Sequence, residues 1–262
     1  MPVFYDQMNK AVHIQQVPKR IISIVPSQTE LLFDLGLDER IAGITKFCIH
    51  PANKVGGVAK IGGTKQLNMQ AIHSLRPDLI IANKEENEQA QVEELMKHYP
   101  VWISDITNLH SALNMITKVG EITGAQTGAV KIANDIFLQF QNLKPQGKKL
   151  RVAYLIWRKP YMAAGNGTFI DSMMQLCGFE NAINTGRYPG VKTDELIAAK
   201  PDMLLLSSEP YPFAQKHIDE FQNTLPNAKI LLVDGEMFSW YGSRLLQAPA
   251  YFNSLIGKLT AM

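Results

Sequence analysis

Cys48 and His50 stand one residue apart in the stretch "TKFCIHP", residues 45–51. On an extended segment that spacing turns both side chains to one side. A thiol and an imidazole so placed could hold a metal or act as nucleophile and base. A metal site needs a third ligand, and none is evident. A nucleophile needs an orienting acid and an oxyanion hole, and neither is recognisable in the sequence. The pair is therefore expected to line the rim of a ligand cleft, with no metal and no intrinsic cofactor. The remaining histidines, His13, His73, His98, His110 and His217, fall in different elements and are not expected to cluster.

Aromatic residues are dense in the second half: Trp157, Tyr161, Tyr188, Tyr211, Phe213, Phe238, Trp240 and Tyr241. Local packing accounts for about half of such residues. The rest would make a wall for a large flat ligand. Arg158, Lys159, Arg187 and Arg244 alternate with them and could meet carboxylate, phosphate or catecholate groups. Glu85, Glu86 and Glu88 read first as a solvated helix start, and Ser27 and Thr29 as helix caps. The dinucleotide, P-loop, G-x-S-x-G and H-E-x-x-H patterns are absent.

The elements that position these residues follow one plan used twice. Residues 20–36, "RIISIVPSQTELLFDLG", give an apolar strand, a turn and a helix closed by glycine; residues 151–178 repeat that order with a longer loop. "AIHSLRPDLIIA" from Ala71 matches "ELIAAKPDMLLL" from Glu195: a helix ends at a basic residue, Pro77 or Pro201 stops it, and a buried strand follows. "VWISD" and "KILLVDG" close the two halves. Alternating strands and helices predict an α/β protein with two lobes, each built on a mostly parallel sheet. The expected division is residues 1–124, a backbone helix within 125–145 joining the lobes, and residues 146–262. Ile132, Ile136, Phe140 and Leu143 set the period of that helix, read as residues 127–143. Ligands of open α/β sheets sit outside the carboxyl ends of the strands, so the post-strand loops are where a site is expected.

Composition fits this picture. The 262 residues are 46% hydrophobic with a net charge of +2, which points to a small-molecule partner rather than nucleic acid. The two cysteines make no disulfide framework. Residues 1–20 lack a signal-peptide pattern, so the chain as it stands reads as cytoplasmic, with a periplasmic place if a leader was trimmed. A monomer is expected.

In "PKRIISIVPSQTELLFDLGL", "GITKFCIHP", "GGTKQLNMQAIHSLRPDLIIA", a lone linking helix and "DGEMFSWYGSRL", the chain resembles the helical-backbone class of ABC-transporter substrate-binding proteins, nearest the cobalamin and ferric-siderophore branch. The resemblance implies two Rossmann-like lobes with the ligand in a cleft, and a receptor for a corrinoid, ferric siderophore or haem that does no chemistry. It implies ligand contacts at Phe47, Cys48, His50, Thr64, Lys65, Gln66, Lys84, Glu86, Trp157, Arg158, Tyr161, Arg187, Tyr188, Phe238, Trp240, Tyr241 and Arg244. Lys65 and Lys84 stand where the cobalamin binders carry tryptophan. Permease docking maps onto Gln70 and Asp194, where the family has one acidic residue per lobe. The alternative is a cytoplasmic cofactor-processing or chelatase-like enzyme on the same fold, with His50 or Glu236 as base. A direct metal-ion binder is a third reading, disfavoured by the scattered histidines.

Overall fold

The computed structural model describes residues 2–147 and 149–260. The chain divides into two compact units. Unit 1 comprises Met1–Ile106, His110–Leu138 and Tyr241–Leu246; unit 2 comprises Thr107–Leu109, Gln139–Trp240 and Gln247–Met262.

Unit 1 runs β1 (Val3–Tyr5), β2 (Ala11–His13), β3 (Ile21–Ser23), α1 (Pro26–Asp34), β4 (Ile41–Ile44), β5 (Ala59–Lys60), α2 (Met69–Leu75), β6 (Leu79–Asn83), α3 (Gln89–Met96), β7 (Val101–Ser104), α4 (Leu109–Thr123) and α5 (Gln126–Gln141). Residues 139–141 of α5 and Leu109 of α4 belong to unit 2. Among the described residues β1 and β2 form an antiparallel hairpin, and the main sheet is wholly parallel in the order β5-β4-β3-β6-β7. Central strands β3 and β6 are buried along their whole length, which is why they read as unbroken apolar runs rather than alternating ones. Pro26 opens α1, where a missing N–H costs nothing. Gly36, at φ 72°, ends it in the left-handed conformation that glycine takes without a Cβ penalty.

Unit 2 runs β8 (Leu150–Trp157), β9 (Tyr161–Ala163), α6 (Phe169–Leu176), β10 (Phe179–Asn181), β11 (Gly190–Val191), α7 (Thr193–Ala198), β12 (Met203–Ser207), α8 (Gln215–Thr224), β13 (Lys229–Val233), α9 (Gly235–Ser239) and α10 (Ala248–Thr260). Its described strands lie in the order β11-β9-β8-β12-β13, with β10 pairing the start of β8. Strands β8, β10, β12 and β13 are parallel; at one edge β9 runs antiparallel to β8, and β11 antiparallel to β9. Strand β9 folds from the long loop the sequence places after β8, and β11 comes from the segment between β10 and α7.

The duplication is visible atom by atom. Arg76 and Lys200 both sit at φ 45° ahead of their prolines. Asp78 then accepts the backbone N–H groups of Lys19 and Arg20, each at 2.8 Å, and Asp202 accepts that of Arg151 at 2.8 Å. The Arg20 and Arg151 guanidinium groups donate to the Leu75 and Ala199 carbonyls at the ends of α2 and α7. The repeated Pro-Asp thus fastens each helix end to the start of the unit's central strand.

Two sequence expectations change. Leu143 lies beyond the end of α5, while Ile136 and Phe140 are buried as the periodicity requires. Tyr241–Leu246 belongs to unit 1 although the sequence places it with the second half. It is held there by side chains: Arg244 pairs with Glu30, Ser243 donates to Asp34, and Tyr241 donates to Glu86. Gly242 lies against the Ser27 carbonyl, where a methyl group would collide.

Candidate ligand-binding faces at the strand ends

In unit 1 the carboxyl ends of β3, β4 and β6 rest on buried polar side chains. Thr29 Oγ1 lies 2.8 Å from Ser23 Oγ and 3.1 Å from Cys48 Sγ, and Thr45 Oγ1 lies 3.2 Å from the same sulfur. Cys48 is 1% exposed, and burial pushes its thiol above the ordinary range. It belongs to this polar floor and not to a rim. Thr29 also donates to the Val25 carbonyl, and α1 carries no side-chain cap, so the capping role expected of Ser27 and Thr29 is not the one they play. Phe47 and Ile49, on either side of Cys48, point outward with 51% and 52% exposure, and the Lys46 ammonium lies 5.2 Å from the Phe47 ring centre. His50 is half-buried within electrostatic reach of Glu30.

The loop after β6 is tightly built. Asn83 Oδ1 accepts the N–H groups of Glu85 and Glu86 at 2.8 and 3.0 Å, and Asn87 Oδ1 accepts that of Asn83 at 2.7 Å. Asn87 Nδ2 reaches the Ile24 and Thr64 carbonyls. Lys65 turns its ammonium onto the Glu85 and Asn87 carbonyls at 2.7 and 3.3 Å, and Lys84 pairs with Asp105 at 2.6 Å. Lys65 thus spends donors on this loop, and Lys84 on the aspartate that follows β7. Thr64, half-buried, and Gln66, exposed, complete the neighbouring turn, where the Gly63 N–H donates to the Gln66 carbonyl.

The Arg244–Glu30 pair is bidentate at 3.0 and 2.5 Å, with both side chains about a tenth exposed. Burial lifts the Glu30 carboxyl, and the Arg244 guanidinium opposes that shift. Tyr241 is 6% exposed.

In unit 2 the turn after β8 carries Trp157, Arg158 and Tyr161. Trp157 is 39% exposed and packs edge to face with Tyr211, 5.9 Å between ring centres. Arg158 Nη2 lies 2.9 and 2.7 Å from the two Glu220 oxygens, and Tyr161 donates to Glu220 at 2.8 Å. The Arg158 bond holds the Glu220 carboxyl below its usual value. Beneath them Tyr211, Phe213 and His217 pack edge to face. His217 Nδ1 accepts the Ala214 N–H at 2.8 Å, which places the neutral ring's proton on Nε2, facing the Tyr211 hydroxyl. Arg187 is exposed at φ 65°, and Tyr188 is half-buried. Phe238 is fully buried against Tyr154 and Phe252, and Trp240 is 6% exposed with its indole N–H on Glu209, so both belong to the interior. Ser239 donates to Glu209 at 2.5 Å, and burial raises that carboxyl.

Gln70 and Asp194 occupy the second position of the equivalent helices α2 and α7, and both are exposed. The histidines are less scattered than their sequence positions imply. His73 Nδ1 lies 2.7 Å from the Tyr99 hydroxyl, and the His73 and His98 rings are 5.4 Å apart. Among the described residues no group of three His, Cys, Asp or Glu side chains is placed to hold a metal ion, and no helix is long and apolar enough to cross a membrane. Glu30, Asn83, Asn87, Glu209, His217 and Glu220 were not singled out as site residues from the sequence. Only the Asn83–Asn87 bracket around the acidic run offered a local signal.

Two parallel-sheet units, duplicated in plan and linked through long helices, with loops of mixed aromatic and charged residues at their strand ends, define the class of helical-backbone substrate-binding proteins. The chain belongs to the periplasmic binding protein family, whose model matches residues 21–229. It is 25% identical over 256 residues to the vitamin B12-binding protein of Pectobacterium carotovorum subsp. carotovorum (strain PC1), covering 94% of this chain and 90% of that one. Among solved structures, the periplasmic heme-binding protein RhuT from Roseiflexus sp. RS-1 superposes with a TM-score of 0.75 at 21% identity, covering 91% of this chain and 96% of that one. The siderophore-binding protein BauB, bound to ferric iron and two acinetobactin molecules, gives 0.78 at 16% identity, covering 97% and 98%. These two likenesses show the fold. The protein is a substrate-binding protein of ABC-transporter type, and membership supports an extracytoplasmic location over the cytoplasmic reading of residues 1–20.

Proposed function

We propose that the protein captures a large metal chelate, a corrinoid, ferric siderophore or haem, on the loops at its strand ends and delivers it to an ABC permease from the periplasm. The observation that carries this reading is the exposure of Phe47, Ile49 and Trp157 on those loops, in a chain whose other large apolar residues are mostly buried. Apolar side chains gathered beside polar anchors mark binding surfaces. The relatives named above bind cobalamin, haem and a ferric siderophore, and so supply the ligand class. Phe47, His50, Thr64, Lys65, Gln66, Lys84, Glu86, Trp157, Arg158, Tyr161, Arg187 and Tyr188 are the proposed contacts. Gln70 and Asp194 are the proposed docking positions, and the working form is a monomer. The ligand leaves as it arrived, without turnover.

Equilibrium dialysis against cyanocobalamin, haemin and a panel of ferric siderophores tests this. Saturable binding of one class at micromolar or lower concentration, with the compound recovered unchanged, is expected. Binding of none of them, or recovery of a converted product, refutes the reading.

A further inference from the structure

Of the basic residues on the strand-end loops of unit 2, Arg158 stands beside the exposed Trp157 and is the natural receptor for an anionic ligand group. The structure shows its charge already engaged. Glu220, on α8, meets Arg158 Nη2 with both oxygens at 2.9 and 2.7 Å and takes the Tyr161 hydroxyl at 2.8 Å. The Tyr161 and Tyr211 hydroxyls stand within hydrogen-bonding reach of the same guanidinium. Tyr161 in turn packs on Phe221, the neighbour of Glu220 on α8, at 5.1 Å between ring centres. The arginine is thus walled by a carboxylate and two phenols, and its side chain is only 21% exposed. Only Nη2 bonds the carboxylate, and Nε is buried without a hydrogen-bond partner, but a guanidinium whose charge is compensated by an adjacent carboxylate gains little from a second anion, since the pair is close to neutral at a distance.

We propose that Glu220 is a specificity-determining residue of this face. By taking the charge of Arg158 it lowers the affinity of the Trp157 turn for anionic groups, leaving the exposed Lys159 as the turn's other cation, so that beside Trp157 the ligand meets the turn mainly through apolar and neutral polar contacts. This rests on the reading above that the turn faces the ligand. It selects, within the chelate class, ligands whose outer surface toward unit 2 is uncharged, such as an amide-decorated corrinoid edge, over those presenting carboxylates there. A one-atom change, Glu220→Gln, keeps the shape and returns the cation.

Collisional quenching of tryptophan fluorescence reads the local charge directly. Trp102 is fully buried and Trp240 is 6% exposed, so quenching by small solutes reports Trp157. Iodide samples the potential at that ring, and neutral acrylamide controls for access. At low ionic strength, where one charge several ångströms away is weakly screened, Glu220→Gln should raise the iodide constant by about twofold with the acrylamide constant unchanged. Arg158→Gln/Glu220→Gln should bring the ratio back to the wild-type value. An unchanged ratio in Glu220→Gln overturns the proposal. So does a rise in both constants, which would mean the turn had opened, or an elevated ratio persisting in the double variant. Dialysis adds the ligand side: Glu220→Gln should gain several-fold for haemin, which carries two carboxylates, relative to cyanocobalamin, and loss of that relative gain counts against the proposal. If wild-type protein binds no chelate, the functional reading above fails while the quenching ratio still decides the role of Glu220.

Discussion

Arg244→Met is expected to destabilise unit 1 strongly. The guanidinium donates two hydrogen bonds to Glu30, at 3.0 and 2.5 Å, with about a tenth of each side chain exposed. Removing one member of a buried pair leaves the other desolvated and unpaired, which costs about 3–5 kcal/mol. The pair keeps some solvent contact, so the low end, ~3 kcal/mol, is the appropriate figure. For a protein of this size, each kcal/mol lowers the melting temperature by about 2–4 °C, which gives a drop of roughly 6–12 °C. Glu30→Gln should cost less, because a neutral amide still accepts from Arg244. Glu30→Met/Arg244→Met removes both charges together and should recover to within ~1–2 kcal/mol of wild type, since a buried ion pair gains little over apolar residues of like volume. Differential scanning calorimetry of wild type, Arg244→Met, Glu30→Met and Glu30→Met/Arg244→Met closes the cycle. A loss under ~1 kcal/mol for Arg244→Met, or a double variant no better than the single, would show that the pair does not hold Tyr241–Leu246 onto α1. Chelate binding measured on the same variants separates the alternatives: a ligand contact would lower affinity with the melting temperature unchanged.

His217 supplies a pH prediction. Burial lowers its pKa below the ordinary ~6.5, Arg158 and Lys216 add to that shift, and Glu220 opposes it. The unfolded chain therefore binds the proton first as pH falls, so the stabilisation is complete above ~6.5 and is lost as pH drops toward the folded value. Melting curves from pH 7.5 to 5 should show this decline, and His217→Asn, which can still accept from Ala214, should flatten it; an equal slope in the variant excludes His217 as the cause. Cys48 and Cys177 are 1% and 0% exposed with thiols raised by burial, so an aromatic disulfide reagent should label both only after denaturation. Rapid labelling of Cys48 in the native protein would return it to a rim.

Much of the fold was legible because it is written in periodicity and punctuation. Proline after a basic residue, glycine after an amphipathic run, and two matching apolar strands are local signals, and they recur at Pro77 and Pro201, Gly36 and Gly178, β6 and β12. The repeated aspartate was visible too, although its task of receiving backbone N–H groups from the start of the central strand emerges only in three dimensions. Tyr241–Leu246 was not legible in the same way. Its place in unit 1 depends on Glu30 and Asp34, more than two hundred residues earlier in the chain, and on a backbone approach that Gly242 permits.

The charged residues show why the candidate site was harder to read than the sheets. An arginine in a sequence carries its charge but not its partner. Arg158 and Arg244 looked alike as receptors for anionic groups, yet each has a carboxylate from a distant helix in its grip, Glu220 from α8 and Glu30 from α1. Neither acid advertised this, because Glu30 reads as part of a helix start and Glu220 as one polar residue of an amphipathic helix. The aromatic residues divide by the same logic. Phe238 and Trp240 lie in one short segment with Tyr241, but α9 turns Phe238 into the core beside Phe252 and Trp240 onto Glu209, whereas Trp157, at the last position of β8, and Phe47 in unit 1 keep large faces in solvent. Position along a strand decides this: Trp157 lies past the last residue of β8 that pairs with β12, keeps a neighbour only in Met162 of β9, and gains exposure, which is also what a ligand requires. The chemistry of the site is therefore carried less by how many arginines and aromatics the loops contain than by which of them the rest of each unit leaves unengaged.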